Sequence, residues 1–427
     1  MSKNPYAISG VKARWILDSR GNPTVEAEVV LECGVRGIAA APSGASRGAH
    51  EALELRDGIR SEFRGKGVRK AIKNIEEVIA PALIGMDSRS QREIDQKMID
   101  LDGTQQKTRL GANACLPVSL AVAKAAAAAR KTPLYMHLRE VYSIKRKLLM
   151  PIPLSNMING GKHGVGLDIQ EFLIIPSGVK SFAKAIQALS EIYNALGDIV
   201  SQRGLPKAVG DEGGYTCIEM TTEEALELLS SAVEESGYSL GADIVLGLDC
   251  AASQLYADGA YHVDGRTMDS GALIDWYSEL ASKYTIASIE DPLHEDDWGS
   301  LAALTKKMGD RIQVVGDDVF VSQAARLIAG AKQEVCNAIL LKPNQVGTLT
   351  EAVDTAKTAF SLGYSTIVSH RSGETEDTFI ADLAVALGCG QIKTGAPARG
   401  ERTAKYNRLL RISEEEEIEY PNRLKVL

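Results

Sequence analysis

Apolar positions recur with two different periods along the chain, and the change between them predicts how the chain is organised. Residues 24–29 alternate polar and apolar side chains, which is typical of a β-strand. Residues 68–79, 91–101 and 112–129 then repeat apolar side chains every three or four positions, which is typical of helices. A strand region followed by a helical region predicts an α+β domain over residues 1–140.

Residues 141–427 follow another pattern, in which a short apolar run ends in a polar or charged residue and a helical pattern follows. The basic stretch 144–147 and the prolines Pro151 and Pro153 mark the expected boundary. The apolar runs cover residues 169–175, 244–249, 286–290, 312–317, 338–342, 366–370 and 391–393. Strands that alternate with helices in this way indicate a parallel sheet.

A closed barrel fits this repeat better than an open sheet does. About eight candidate strands over roughly 275 residues are what a (β/α)8 barrel contains. An open doubly wound sheet should carry a glycine fingerprint in its first turn, and the sequence has none there. We therefore predict an α/β barrel that follows the N-terminal α+β domain.

The composition places the chain among ordinary globular proteins. Of its 427 residues, 44% are hydrophobic and 24% are charged, which excludes disordered, collagen-like and disulfide-scaffold classes. The net charge of -8, without a basic stripe, argues against nucleic acid as a partner. The six cysteines are scattered without a CxxC pair, which favours reduced thiols over a disulfide or zinc framework.

Targeting signals are also missing from the sequence. The first ten residues, MSKNPYAISG, lack the basic start and the apolar core of a signal peptide. The most apolar window, residues 116–129, is mostly alanine and contains Lys124, so we do not expect it to span a membrane. We expect a cytoplasmic protein.

Ionisable residues close most of the apolar runs, and they indicate where the chemistry lies. The closing residues are Asp249, Glu290, Asp317, Lys342, His370 and Lys393. In a barrel, the residues that close parallel strands point into one mouth, where active sites form. Three carboxylates without Cys or His favour a hard divalent cation, Mg2+ before Zn2+. An internal network of salt bridges is the alternative explanation.

Two further carboxylates, Glu171 and Glu212, lie upstream of these runs. If they end neighbouring strands, their mutual repulsion raises the pKa of one of them and creates a proton donor. Taken singly, each is better explained as an ordinary surface or turn acid, so the inference rests on the two together with the other residues.

Residues 369–373, Ser-His-Arg-Ser-Gly, have the chemistry of a phosphate site. Arg371 offers a planar pair of donors and Ser372 a hydroxyl, at a point where a strand gives way to a loop. A structural arginine is the alternative. Ser43 and His163 lie in two glycine-rich loops and are weaker candidates, Ser43 for a lid and an oxygen ligand.

Six longer motifs are spread along the chain. They are residues 17–25 (LDSRGNPTV), 210–214 (GDEGG), 288–292 (SIEDP), 341–345 (LKPNQ), 369–377 (SHRSGETED) and 393–399 (KTGAPAR). In this order they resemble the enolase family, and the resemblance extends from about Ile8 to beyond Leu410.

The resemblance implies a fold, a reaction and an assembly. The fold is a small α+β domain that caps a barrel beginning with an irregular ββαα unit. The reaction is the reversible, Mg2+-dependent dehydration of 2-phospho-D-glycerate to phosphoenolpyruvate in glycolysis. The assembly is a homodimer, or an octamer made from dimers.

The resemblance also implies a role for each candidate residue. The first Mg2+ is held by Asp249, Glu290 and Asp317, and a second, substrate-dependent Mg2+ by Ser43. The substrate pocket is formed by His163, Gln170, His370, Arg371, Ser372 and Lys393. The base that removes the α-proton is Lys342, and the acid that assists loss of the hydroxyl is Glu212, with Glu171 beside it.

These roles set requirements on two pKa values. Lys342 acts as a base only when it is neutral, and we expect Lys393 and Mg2+ to lower its pKa. Glu212 has the opposite requirement, because an acid must carry a proton near neutral pH, and we expect Glu171 to help it do so.

Two other functions fit parts of the pattern. An acid-sugar dehydratase or racemase of the same superfamily would share the metal and the base, but such relatives do not carry the Ser-His-Arg-Ser segment. A non-catalytic surface-binding protein on the same fold would have no need for every acid, base and ligand. The sequence departs from the family in loop 160–170, which is about one residue short, and at Tyr215-Thr216-Cys217, where Phe-Ala-Pro is usual.

Overall fold

Three β-sheets organise the chain, which the computed structural model describes over residues 4–45, 48–216, 220–421 and 423–424. The strands are β1 (Ile8–Leu17), β2 (Pro23–Leu31), β3 (Arg36–Ala40), β4 (Ile152–Asn159), β5 (Glu171–Ile175), β6 (Tyr215–Thr216), β7 (Val245–Asp249), β8 (Tyr256–Ala257), β9 (Ala260–Val263), β10 (Arg266–Met268), β11 (Ile286–Glu290), β12 (Gln313–Gly316), β13 (Ala338–Leu341), β14 (Ser365–Ser369) and β15 (Gln391–Lys393).

Helices fill most of the chain between the strands. They are α1 (Arg69–Asn74), α2 (Ala80–Leu83), α3 (Gln91–Asp102), α4 (Ala112–Ala129), α5 (Leu134–Val141), α6 (Phe182–Gln202), α7 (Thr222–Glu235), α8 (Ser270–Lys283), α9 (Trp298–Met308), α10 (Ala324–Ala331), α11 (Leu349–Ser361), α12 (Phe379–Leu387) and α13 (Gly400–Glu415). A π-helical turn, Ile75–Ile79, joins α1 to α2. The three N-terminal helices predicted from the apolar spacing are confirmed.

The N-terminal domain is an antiparallel sheet with helices packed on it. Its strands lie in the order β1, β2, β3. Helix α4 packs on β2 and β3 and is long and apolar enough, by length and composition, to cross a membrane. However, 83% of this helix is buried inside the protein, so it serves as a core helix.

Helix α3 joins this domain to the barrel through a buried carboxylate. Asp95 accepts hydrogen bonds from Ser119 Oγ of α4 at 2.6 Å and from Thr350 N and Oγ1 of α11 at 2.9 and 2.6 Å. Gln91 donates to the same carboxylate. Burial raises the pKa of Asp95 to about 6, since no basic side chain is among its hydrogen-bond donors.

This carboxylate should make the stability of the protein depend on pH. Because its folded pKa is raised above the unfolded value of about 4, Asp95 stabilises the fold most below that pH, and this contribution is lost as pH rises through about 6. Relative to Asp95→Asn, which does not titrate, the wild type should lose about 3 kcal/mol of unfolding free energy between about pH 4 and pH 7. Urea unfolding of both proteins across this range measures the difference. A difference that is constant or rises with pH would contradict the prediction.

The barrel closes through eight strands, as predicted. Their order around the barrel is β4, β5, β7, β11, β12, β13, β14 and β15, and β15 pairs with β4. Strands β4 and β5 are followed by helices α6 and α7, so the irregular ββαα start is confirmed. The short strand β6 adds to the other side of β4.

Strand β5 runs against both of its neighbours, β4 and β7, while the other seven strands are parallel around the barrel. Its first residue, Glu171, therefore lies at the end of the barrel where Asp249 closes β7 and faces it in register. The condition that Glu171 ends a strand is therefore not met, because Glu171 begins one.

The prolines Pro151 and Pro153, which mark the predicted domain boundary, lie at the first strand of the barrel. Pro153 lies inside β4, a strand whose eight residues are all buried. Proline in a sequence argues against a strand because it has no N–H to donate to a neighbouring strand. It is nevertheless tolerated near the beginning of a strand.

Candidate active site

A pocket at the mouth of the barrel collects most of the predicted residues. It is lined by Ala45, His163, Gln170, Glu171, Glu212, Asp249, Lys342, Ser369, His370, Arg371, Ser372 and Lys393. Glu290 and Asp317 do not line it, but each contacts a lysine that does. Since Ala45 belongs to the N-terminal domain, both domains contribute to the site.

Lys393, the last residue of β15, lies among three carboxylates. Its Nζ donates to Asp249 Oδ2 and to Glu290 Oε2, both at 2.8 Å, and lies 3.2 Å from Glu171 Oε1. Burial alone would lower its pKa, but the carboxylates raise it well above the ordinary value. Lys393 therefore holds a positive charge in the centre of the site.

Lys342, which follows β13, pairs with Asp317. Its Nζ donates to Asp317 Oδ2, while the Gln345 amide donates to Asp317 Oδ1 at 3.0 Å. Burial and Lys393 lower the pKa of Lys342, but Asp317 and Glu290 outweigh them and the net pKa is raised. Lys342 is thus protonated in this arrangement, because its closest neighbour is a carboxylate. That Mg2+ and Lys393 together make it neutral stays a prediction.

The three predicted metal ligands do not converge on one point. Among the described residues, the groups whose ligand atoms all lie within 4.8 Å of one another are His163–Glu171–Glu212 and Asp291–Asp317–Asp318. Lysine ammonium groups occupy the space beside Asp249, Glu290 and Asp317. The salt-bridge network that the sequence left open is therefore present, built from the same residues as the predicted metal site.

Glu212 is presented by the tight turn at residues 210–214. Gly213 adopts a φ of 89°, and a Cβ there would lie 3.0 Å from the carbonyl oxygen of Ala398, so glycine is required. Tyr193 Oη donates to the Gly213 carbonyl at 2.8 Å and stacks on Tyr215, with ring centroids 4.6 Å apart. Tyr215, which departs from the usual family sequence, is thus packed against a tyrosine of α6. The other departure, Cys217, lies outside the described residues.

The Glu212 carboxylate faces two imidazoles and an amide. His370 Nε2 lies 3.3 Å from Oε2 and His163 Nε2 lies 3.8 Å from Oε1. Asn156 of β4, which the sequence analysis missed, donates to Oε2 at 3.3 Å. Burial lowers the pKa of both imidazoles, that of His370 to about 4, so both are neutral at pH 7.

Glu171 and Glu212 share the pocket, and their pKa values are pushed apart. Burial and the charge of Glu212 raise the pKa of Glu171 well above the ordinary value. Burial also opposes ionisation of Glu212, and the imidazoles of His370 and His163 lower its pKa through their charge only when they are protonated. Glu171 is thus the acid of the pair whose pKa is raised in this arrangement. That Glu212 carries the proton stays a prediction.

Arg371 is held by acceptors from both domains. Its Nη1 and Nη2 donate to the two oxygens of Glu51, at 2.9 and 3.1 Å, and Nη1 also donates to Asn344 Oδ1 at 3.2 Å. Beside it, Ser372 Oγ accepts from Ala45 N at 2.7 Å. The two residues predicted to bind phosphate therefore lie together, and a carboxylate stands against the guanidinium.

Ser43 is another predicted residue that does not line the pocket. Its backbone pairs with Gly373 through hydrogen bonds of 2.7 and 2.8 Å. Its hydroxyl donates to Glu54 and accepts from Arg56. Another serine of this loop, Ser46, lies outside the described residues.

Family comparisons cover both domains. The model of the enolase C-terminal TIM barrel domain matches residues 147–422, and that of the enolase N-terminal domain matches residues 8–138. The chain belongs to the enolase family. An enolase of Pyrococcus furiosus is 54% identical over 418 residues, which cover 97% of this chain and 96% of that protein. Enolases of Methanopyrus kandleri and Methanocaldococcus jannaschii are 54% and 53% identical over 413 residues, with 96% of each chain covered.

Membership confirms the family and the fold that the six motifs predicted. Enolases are hydro-lyases of glycolysis, so the chain is an enzyme with a small-molecule substrate. The carboxyl groups at the mouth of the enolase barrel include sets that can hold a metal ion.

Proposed function

We propose that the pocket dehydrates 2-phospho-D-glycerate to phosphoenolpyruvate, reversibly and with Mg2+, and that the residues act in the roles given above. The observation that carries the proposal is the single pocket in which Lys342, the Glu171–Glu212 pair, Lys393 and Arg371 meet. A base, an acid and two cationic groups for a carboxylate and a phosphate are what this dehydration requires.

The residues around Lys393 and Lys342 fit a bound cation. Four buried carboxyl groups contact these two ammonium groups: Glu171, Asp249, Glu290 and Asp317. Carboxyl groups thus outnumber ammonium groups, and burial together with Asp249 raises the pKa of Glu290 well above the ordinary value. Oxygen donors alone suit Mg2+, and we propose Asp249, Glu290 and Asp317 as its ligands.

When bound, Mg2+ neutralises the substrate carboxylate and the negative charge that develops as the α-proton leaves. We propose a second, substrate-dependent Mg2+ as well. Ser43 reaches such an ion only after its hydroxyl leaves Glu54 and Arg56.

Lys342 needs to lose a proton before it can take one from the substrate. In the structure its Nζ donates to Asp317, the carboxylate that raises its pKa. If Asp317 serves as a metal ligand, Lys342 loses this partner, while Lys393 and Arg371 continue to lower its pKa. The same carboxylate thus links ligand binding to activation of the base.

The proton that leaves with the hydroxyl comes from the Glu171–Glu212 pair. Glu171 holds the proton in the arrangement described here, and Glu212 is the member that faces His163 and His370. We propose that Glu171 passes this proton to Glu212, and that Glu212 donates it to the hydroxyl, which leaves as water.

Asp317→Asn should weaken Mg2+ binding and lower kcat together, because the ligand set falls from three charges to two. Isothermal calorimetry measures the affinity, and excess Mg2+ should restore part of kcat. Asp318→Asn is the matched control: it removes the neighbouring carboxylate of the Asp291–Asp317–Asp318 group and keeps the proposed set. Unchanged affinity in Asp317→Asn, or an equal loss in Asp318→Asn, would contradict the assignment.

A direct assay tests the reaction. Ultraviolet absorbance should report phosphoenolpyruvate formation from 2-phosphoglycerate in the presence of Mg2+ and none after chelation. Absence of Mg2+-dependent product from the folded protein would contradict the proposed function.

We also propose a homo-oligomer that works in the cytoplasm. Trp15 and Leu17 on the edge strand β1 are 50% and 54% exposed, and Trp15 packs against the exposed Phe63, which supports a subunit interface at this face. The described cysteines are all free thiols, which supports a reducing compartment. Light scattering in solution gives the mass, and a monomer would contradict the first part.

A further inference from the structure

Arg402, in the first turn of α13, is fully buried behind the pocket and does not line it. Its Nη1 donates to His370 Nδ1 at 2.8 Å and to the Arg371 carbonyl at 2.6 Å. Its Nη2 donates to the Asp211 carbonyl at 2.9 Å and to the Ser372 carbonyl at 2.5 Å. One guanidinium therefore contacts the segment before Glu212 and the whole 370–372 segment.

The contact with His370 determines where the imidazole carries its hydrogen. A guanidinium has five donors and no acceptor, so His370 Nδ1 must accept. In a neutral imidazole the hydrogen then resides on Nε2. That nitrogen lies 3.3 Å from Glu212 Oε2 but makes no hydrogen bond in this arrangement, so the Nε2–H lies beside the carboxylate without donating to it.

A buried guanidinium is costly, and most of the acceptors of this one are neutral. Three of its four hydrogen bonds go to backbone carbonyls and the fourth to His370. Glu401 Oε1 lies 3.5 Å from Nε, beyond a strong hydrogen bond. The contacts are thus arranged around the two functional segments and not around a counter-ion.

We propose that Arg402 is a positioning residue: it fixes His370 as the Nε2–H tautomer beside Glu212, and it holds the 210–214 turn in a fixed position against residues 370–372. The inference rests on the proposed roles of Glu212 and Arg371. It assigns Arg402 no contact with substrate.

The wild-type protein gives the first test, with ring-15N-labelled histidine and His370→Gln to identify the signal. The 15N chemical shifts of His370 at pH 7 should report hydrogen on Nε2. Hydrogen on Nδ1 would overturn the proposal without any variant of Arg402. This readout does not depend on turnover, so an inactive protein with the Nε2–H signal would count against the proposed function and not against this inference.

Two variants test the cause. Arg402→Met removes the donor, and His370 should then show Nδ1–H or a mixture. Arg402→Lys keeps the positive charge, but a single ammonium nitrogen cannot contact both the Asp211 carbonyl and the 370–372 segment. We therefore expect kcat to fall at least about tenfold, with a smaller rise in KM. If Arg402→Met does not fold, Arg402→Lys and the wild type carry the test.

Arg399→Lys is the matched control. Arg399 lies three positions earlier and also donates to backbone carbonyls, those of Gly210 and Ser19 at 3.1 and 2.8 Å, without contacting His370. The Arg399→Lys protein should keep the Nε2–H tautomer of His370. A tautomer unchanged in Arg402→Met, kcat within twofold of wild type in Arg402→Lys, or an equal tautomer change in Arg399→Lys would overturn the proposal.

Discussion

Lys342→Ala should lower kcat for phosphoenolpyruvate formation by at least about 10²-fold, because it removes the general base. The lysine is buried at the pocket, and its main partner is Asp317. Since Lys342 is not a proposed ligand, and since its ammonium group competes for Asp317, Mg2+ affinity should stay the same or increase. Steady-state assays and calorimetry measure the two quantities.

Exchange of the substrate α-proton with solvent distinguishes the role of the base, Lys342, from the role of the acid, Glu212. Lys342→Ala should lose exchange of the substrate α-proton into deuterated water together with dehydration. Glu212→Gln removes the acid and keeps the base, so it should lose dehydration and retain exchange. More than about a tenth of wild-type kcat in Lys342→Ala would leave Lys342 as a structural partner of Asp317.

Arg371→Lys should reduce kcat/KM at least about tenfold although the positive charge is kept. The guanidinium donates from two nitrogens at once, as its paired contacts with Glu51 show. A lysine ammonium is a single point of charge and cannot reproduce a two-donor contact with phosphate. If phosphate binding also aligns the α-proton with Lys342, kcat should fall as well.

Arg408→Lys controls for the structural cost of this change. Arg408 makes a similar two-donor contact with Asp382, at 2.8 and 2.7 Å, and does not line the pocket. The Arg408→Lys protein should lose stability without a change in kcat/KM. A value within about threefold of wild type in Arg371→Lys, less than about 1 kcal/mol, would refute the phosphate role. That result would favour the acid-sugar chemistry, in which no phosphate is bound.

The sequence was sufficient to predict the fold class and most of the pocket. Parallel strands bring their carboxyl ends to one edge, so Asp249 and Lys393 could be placed together from the apolar runs alone. Each of those runs overlaps a strand of the barrel. This part was accessible because the side-chain pattern within one element is local.

The direction of β5 and the presence of β4 were not accessible in this way. The apolar run at 169–175 looks the same whichever way it runs, and only its pairing with β4 and β7 decides that Glu171 begins the strand. Pro153 carries a local signal against a strand, which the closure of the barrel between β15 and β5 overrides.

The sequence by itself therefore determined which ionisable side chains form the site and that a barrel brings them to one end. The tertiary structure alone decided that Asp317 pairs with Lys342, that Glu171 has the raised pKa of its pair, that the Ser43 hydroxyl donates to Glu54 and that Arg402 donates to His370. Protonation, tautomers and ion pairs depend on burial and on neighbours that are distant along the chain. Those distances are set only when the barrel closes and the N-terminal domain docks on it.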